Sequence, residues 1–417
     1  MSIFDIASLL VLLAALFGYL NLRYFKLPPT IGLMVIALIS SLIVILVDNF
    51  TPSFHMRDII TDFIGRIDLN ETLMKGMLAF LLFAGALHVN LDDLCERRYT
   101  IASLATVGVI ISTVLTGSAT YYILKLIGLE ISYMYALVFG ALISPTDPVA
   151  VIGILKTTGT SRSLEAKITG ESLFNDGVGI VIFIILVAAA SAGPDAGFSV
   201  IDASVLFVQE AVGGAALGFV VGYIAYRAMK SIDNYQIEVM ITLALVMFIS
   251  SIASRLHMSG PIAVVVAGLL IGNHGKRFAM SSTTIDHVEK FWTLVDEILN
   301  AVLFLIIGME AFAIQFELSY LLSGLMIVPT VIAARFISVS VPIRLLQFKR
   351  EFSHGAIRIL TWSGLKGGIS VALVLSLPPF SGRDLLLTST YIVVLFSIIV
   401  QGLTLRPFVN SIQSKYR

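Results

Sequence analysis

The chain has 417 residues, 57% of them hydrophobic and 13% charged, and its formal net charge is zero. Soluble domains carry about 25% charged residues, so this composition excludes an ordinary soluble fold and makes lipid the solvent for most of the chain. Zero net charge leaves no basic surface for nucleic acid. The single cysteine, Cys95, excludes an intramolecular disulfide, and no cysteine–histidine cluster suggests a metal site.

In chain order, the N-terminal run Met1–Leu20 lacks the basic start and small-residue end of a cleaved leader and reads as a retained first span. A crossing needs about 20 apolar residues. Apolar runs between polar breaks then give thirteen candidate spans: 3–20, 28–47, 72–90, 101–127, 130–157, 169–192, 200–228, 237–256, 259–272, 291–309, 318–346, 354–377 and 384–409. The connection 48–71 holds an amphipathic stretch, 58–66, suited to the membrane's outer face. Of the 27 basic residues, 19 fall in connections after odd-numbered spans or in the C-terminal tail, 5 on the other side and three within spans. Because lysine and arginine stay cytoplasmic, this asymmetry predicts a cytoplasmic C-terminus and an external N-terminus. The expectation is an all-α polytopic membrane protein, one transmembrane unit over 1–417 without a soluble tail domain.

Ionisable residues deep in a span are costly and by default mark a transport path. Span 5 contains Ser144-Pro-Thr-Asp-Pro-Val149. Pro145 and Pro148 lack the amide hydrogens that would bond the carbonyls of Ala141 and Ser144, so the helix should break beside Thr146 and Asp147. Irregular backbone at membrane depth is tolerated only where it lines protein or a wet cavity. Freed carbonyls next to a carboxylate are the hard oxygen ligands a dehydrated monovalent cation requires. A proline kink with Asp147 facing interfacial water is the plainer alternative.

Span 6 carries Glu171-Ser-Leu-Phe-Asn-Asp-Gly177. At about 100° per residue, Ser172 and Asp176 share one helix face, and Glu171 and Asn175 share a neighbouring one. The first stripe offers a hydroxyl and a carboxylate to an ion; the second offers an acid and an amide to another helix. Gly177 and Gly179 allow close approach. Span 11 holds Arg335 in an apolar run, where a permanent charge needs a buried anion. Pairing it with Glu171 leaves Asp176 free to titrate. The alternative makes Glu171 and Asp176 neutral, hydrogen-bonded packing residues.

Span 12 reads Trp362-Ser-Gly-Leu-Lys-Gly-Gly-Ile-Ser370. Gly364, Gly367 and Gly368 weaken the helix around Lys366, whose ammonium would favour the negative C-terminal ends of half-helices; a lysine snorkelling to the interface is the alternative. Span 12 lies seven spans after span 5, so spans 1–6 and 8–13 would be inverted repeats with paired interruptions, the sequence pointer to a midplane site. Glu238, Asp296, Glu297 and Glu310 fall near span ends, where water can reach them. His88 and Asn90 close span 3 beside the charged segment Asp92–Arg98. A proton-sensing His88 and the role of Glu210, inside span 7, stay open.

With these motifs in order, the chain resembles the monovalent cation:proton antiporter family, in its NhaP-type and sodium–hydrogen exchanger branch. The resemblance rests on Ser-Pro-Thr-Asp-Pro-Val-Ala at 144–150, Gly-Glu-Ser-Leu-Phe-Asn-Asp-Gly at 170–177, Arg335, and Trp-Ser-Gly-Leu-Lys-Gly-Gly at 362–368. It implies that Asp176 is the ion-binding and proton-carrying acid, with Asp147, Ser172 and Thr146 completing a sodium site. Glu171, Asn175, Arg335 and Lys366 would form a structural and modulating set, and spans 5 and 12 a crossed, unwound pair. Further implications are a homodimer in a prokaryotic plasma or inner membrane, elevator-like movement, no cofactor besides the transported sodium ions and protons, and electroneutral one-for-one exchange from Asn175 beside Asp176. Two departures matter: Lys366 stands where the family usually has arginine, and Ala84 where many members have an acid.

Burial favours the protonated form of a carboxylate, and a bound cation favours the ionised form. Sodium and protons would therefore compete for one site, and exchange follows if only loaded states cross. A potassium–proton or broader lithium/sodium/potassium exchanger is the nearest alternative, because cavity size is not written in a sequence. An intramembrane aspartyl protease, from a different class, would need Gly-x-Gly-Asp, whereas Asp176 follows Leu173-Phe-Asn175. No zinc-protease or serine-hydrolase motif is present, so no enzyme activity is expected.

Overall fold

The computed structural model describes residues 3–50, 76–148, 151–153, 155, 162–192, 200–309, 317–348, 352 and 355–414. The amphipathic stretch at 58–66, Glu310, and Val149 and Ala150 of the span 5 motif lie outside them. Among the described residues there are helices and no strands, the form that satisfies every backbone group within its own segment where lipid supplies no water. In order they are α1 (Ile3–Leu20), α2 (Pro29–Phe50), α3 (Leu78–His88), α4 (Leu91–Leu126), α5 (Tyr133–Ile143), α6 (Arg162–Ala192), α7 (Ile201–Met229), α8 (Tyr235–Leu256), α9 (Gly260–Leu270), α10 (Ser282–Met309), α11 (Leu318–Gln347), α12 (Ala356–Trp362), α13 (Gly368–Leu375) and α14 (Arg383–Ser414). Nine of the described helices are long and apolar enough to cross a membrane, and α3 and α5 are shorter apolar helices. Those eleven helices overlap eleven of the thirteen windows; the other two, 259–272 and 354–377, hold α9 and the short pair α12 and α13.

Boundaries differ where hydropathy alone cannot see a helix. The charged segment Asp92–Arg98 is not a loop but the first turns of α4. Asn90 caps it, its side chain accepting from the amides of Asp92 and Asp93, and the two aspartates complement the positive helix end. Similarly, α10 begins at Ser282, nine residues before its apolar window, so its charged first turns project beyond the apolar run.

Side-chain size sets how closely the helices pack. Gly214, Gly218 and Gly222 recur every fourth residue along α7, and a Cβ on Gly222 would lie 3.2 Å from Ala267 Cα of α9; such small-residue stripes let membrane helices approach backbone to backbone. Trp292 of α10 is fully buried, lies with its ring 4.6 Å from the Phe83 ring of α3 and tilted 53° to it, and donates its Nε1 hydrogen to Thr242 Oγ1 of α8 at 2.9 Å. Outward faces are equally apolar, with Phe4, Leu22 and Ile201 exposed, as expected when the solvent is lipid.

Two interruptions meet inside this bundle. The helix of span 5 stops at Ile143, and that of span 12 is split between Trp362 and Gly368. The Asp147 amide donates to the Leu365 carbonyl at 2.8 Å, so each break partly satisfies the other's backbone.

Candidate functional site

The first break is held by α6. The Thr146 amide donates to Asn175 Oδ1 at 3.3 Å, and Asn175 Nδ2 donates to Thr146 Oγ1 at 2.9 Å. The Ser172 hydroxyl donates to the Thr146 carbonyl. Asn175 therefore grips the unwound strand, whereas its stripe-mate Glu171 turns to another helix. The side chain of Ser144 completes the turn, donating to the Gly140 carbonyl at 2.7 Å, with Thr113 Oγ1 of α4 at 3.2 Å.

Lys366 closes the second break onto the first. Its ammonium donates to the carbonyls of Ser144 (3.0 Å) and Pro145 (3.2 Å), and only 3% of the residue is exposed. It thus sits at the negative C-terminal end of α5 and does not snorkel. The Ser144 carbonyl freed by Pro148 is consequently taken by lysine. The Lys366 amide donates to Ser397 Oγ (2.8 Å), which donates to Gln401 Oε1 (2.6 Å) in a π-helical turn of α14.

Only glycine fits between the breaks. A Cβ on Gly367 would lie 2.6 Å from Asp147 Cβ and 2.8 Å from its Cγ. Gly367→Ala is expected to push the two strands apart and cost about 1–3 kcal/mol through overpacking, read as a lower thermal unfolding midpoint in detergent.

Behind them lies the buried ion pair. Arg335 Nη1 donates to Glu171 Oε1 at 2.5 Å and Nη2 to the Leu360 carbonyl of α12 at 3.2 Å. Glu171 is 1% exposed and Arg335 7%. Gly364 leaves room for the guanidinium: a Cβ there would lie 2.5 Å from Arg335 Nε.

In front of the breaks opens a cavity of about 770 Å³, walled by α3, α6 and α10. Thr146, Asp147 and Asp176 line its deep end, and His88, Asn90, Asp93 and Glu165 line it elsewhere. Along α6, eleven residues separate Glu165 from Asp176, about 16 Å of helix. Asp176 is 3% exposed, and its Oδ1 is buried without a hydrogen-bond partner. Ser172 stands behind the wall on the Thr146 carbonyl, and Ala84 is fully buried and does not line the cavity. A buried carboxylate oxygen without a partner, on a residue that lines the cavity beside unwound backbone, is costly unless a proton or cation takes it.

The chain matches the sodium/hydrogen exchanger transmembrane family over residues 11–411. It belongs to that family. It is 47% identical over 413 residues to the Na(+)/H(+) antiporter NhaP of Pseudomonas aeruginosa, covering 98% of this chain and 96% of that protein. To the Na(+)/H(+) antiporter NhaH of Halobacillus dabanensis it is 36% identical over 344 residues, 82% of this chain and 83% of the relative. The fold matches the solved structure of the sodium proton antiporter MjNhaP1 from Methanocaldococcus jannaschii, with a TM-score of 0.78 at 18% identity over 97% of each chain. This exchanger is thus a multi-pass membrane transporter, and the protease alternative falls.

Several polar residues of the exchanger lie elsewhere than the sequence suggests. Glu238, expected within reach of water, is fully buried: its Oε1 accepts from the Asn234 amide (3.2 Å) and from Thr284 Oγ1 (3.1 Å), closing the start of α8. Glu210 is buried in a π-helical turn of α7, and its carbonyl accepts from the Ser259 amide at 3.1 Å. Neither lines the cavity. Asp296 and Asn300 do, and both escaped the motif search. Counted from an apolar window starting at 291, Asp296 falls at a span end; counted from Ser282, it is mid-helix. The detectable signal was the i, i+4 spacing of Asp296 and Asn300 with Thr293 and Leu303 on one face.

Proposed function

We propose that this exchanger moves sodium ions and protons in opposite directions through the Asp176 cavity, by competition of the two for that carboxylate. The observation that carries the reading is Asp176, a cavity-lining residue at the crossing of two broken helices whose Oδ1 is buried without a hydrogen-bond partner. Relatives bearing the name sodium/proton antiporter support it. Asp147 and Thr146 supply further oxygens, and Ser172 joins when its hydroxyl rotates to present a lone pair in place of its hydrogen. Asn175, Glu171, Arg335 and Lys366 hold the unwound backbone so that these oxygens converge without rearrangement.

In this cycle the cation and the proton are cargo, and no cofactor enters. The basic-residue asymmetry supports thirteen crossings with the N-terminus outside, which places His88, Asn90 and Glu165 on the cytoplasmic side and makes the cavity inward-open. Asn175 next to Asp176 adds no second titrating group, in keeping with one sodium for one proton. A homodimer in the prokaryotic plasma or inner membrane, inverted repeats over spans 1–6 and 8–13, and elevator-like movement of a core complete the reading.

Everted vesicles holding a pH gradient test it. Sodium should dissipate the gradient; a response to potassium alone would replace the sodium assignment with potassium–proton exchange. Under one-for-one exchange, the flux rate does not change with an imposed membrane potential and no current accompanies it. A current that reverses with the potential overturns the stoichiometry.

A further inference from the structure

Asp296 is not part of the broken-helix crossing, yet it shares its cavity. Seven residues separate Asp296 from Leu303, about 10 Å of helix. Leu303 marks the floor, because its side chain packs where a Cβ on Gly368 would lie. At the other end of the same stripe, Thr293 Oγ1 lies 3.4 Å from His88 Nε2. The carboxylate therefore stands between His88 and the Asp147–Asp176 floor. Asn300, 3% exposed, donates its Nδ2 hydrogen to Asp296 Oδ1 at 3.0 Å and holds it in place. Facing this stripe, α3 contributes Leu78, Leu81, Leu82 and Gly85, an apolar wall that focuses a charge's field along the cavity. The unpartnered, buried Asp176 Oδ1 in the same space marks where a cation ends its path.

We infer that Asp296 is a cation-attracting residue of the cavity, a carboxylate that draws a monovalent cation from the mouth and hands it to Asp147 and Asp176. This rests on the exchange reading above. It acts on one side only, because the cavity holding Asp296 is the inward-open one, with its mouth at His88 and Glu165.

Asp296→Asn is the test, because the amide oxygen still accepts from Asn300 while the charge is lost. Sodium-driven proton flux is measured at one fixed pH in everted and in right-side-out vesicles. With sodium on the cavity side, the apparent KM should rise about threefold to tenfold, the effect of one charge some 10 Å away in a partly screened cavity, with the maximal rate unchanged. From the opposite face the KM should match the parent, and Asp296→Glu should restore the cavity-side value. If Asp296→Asn does not accumulate, Asp296→Ser, neutral and smaller, should show the same rise. An unchanged cavity-side KM, an equal rise from both faces, or a fallen maximal rate that glutamate does not rescue overturns the inference. Absence of sodium-driven flux in the parent instead overturns the exchange reading, so the two failures are distinct.

Discussion

Asp176→Asn is expected to remove sodium-driven proton flux, at least about 100-fold and down to the vesicle background, while leaving the folded protein no less stable than the parent. The two halves of this expectation share one cause. Asp176 Oδ1 is buried with no hydrogen-bond partner, so that oxygen ties no helix to another and costs desolvation whenever the site is empty. An amide of the same shape removes that cost, and with it the only chemistry by which one position can carry either a proton or a cation. Because a ligand that binds the folded state stabilises it, sodium at 100 times its Kd should add about 2.7 kcal/mol to the parent. The sodium-dependent rise in unfolding temperature should vanish in the variant. Flux retained by Asp176→Asn would end the assignment of this residue; lost flux with a collapsed fold would make it structural.

Much of the architecture was open to reading because lipid restricts the options so severely. Apolar runs near the bilayer thickness must be helices, and the prolines around Thr146 and the glycines around Lys366 place both interruptions without any tertiary information. What could not be read was direction in space. Helix faces showed that Ser172 and Asp176 share a stripe, yet not that Ser172 stands behind Thr146 while Asp176 faces the cavity. The lysine's partners, the carbonyls of Ser144 and Pro145, are 221 or more positions away in sequence and follow from the crossing alone. Asp296 was hidden for a different reason. An apolar window trims the charged turns that project beyond the lipid, and trimming α10 moved a mid-helix acid to an apparent end. Asp92–Arg98 vanished into a supposed loop by the same error.

Arg335→Ala should be the most damaging single change to the fold, more so than Asp176→Asn. The guanidinium ties together three elements: α11, which carries it, Glu171 of α6, and the Leu360 carbonyl of α12 just before the second break. Truncation strands the Glu171 carboxylate, which is 1% exposed, and leaving a buried charge unpaired costs about 3–5 kcal/mol. The Leu360 carbonyl loses a charged donor as well. Against a typical stability of about 5–15 kcal/mol, that is enough to deplete folded protein, seen as a lower unfolding temperature and poor recovery from detergent. The charge argument also predicts the remedy. Glu171→Gln combined with Arg335→Met leaves no unpaired charge and keeps most of the buried volume, so it should be more stable than Arg335→Ala, whereas Glu171→Gln alone strands the guanidinium and should lower the parent's stability. Equal stability of Arg335→Ala and Asp176→Asn, or a double variant as unstable as Arg335→Ala alone, would show that the pair does not hold α6 to α11. A rescued fold that still exchanges sodium would separate this ion pair from the ion path and leave Asn175 and Lys366 as the groups that hold the oxygens at Asp176, Asp147 and Thr146.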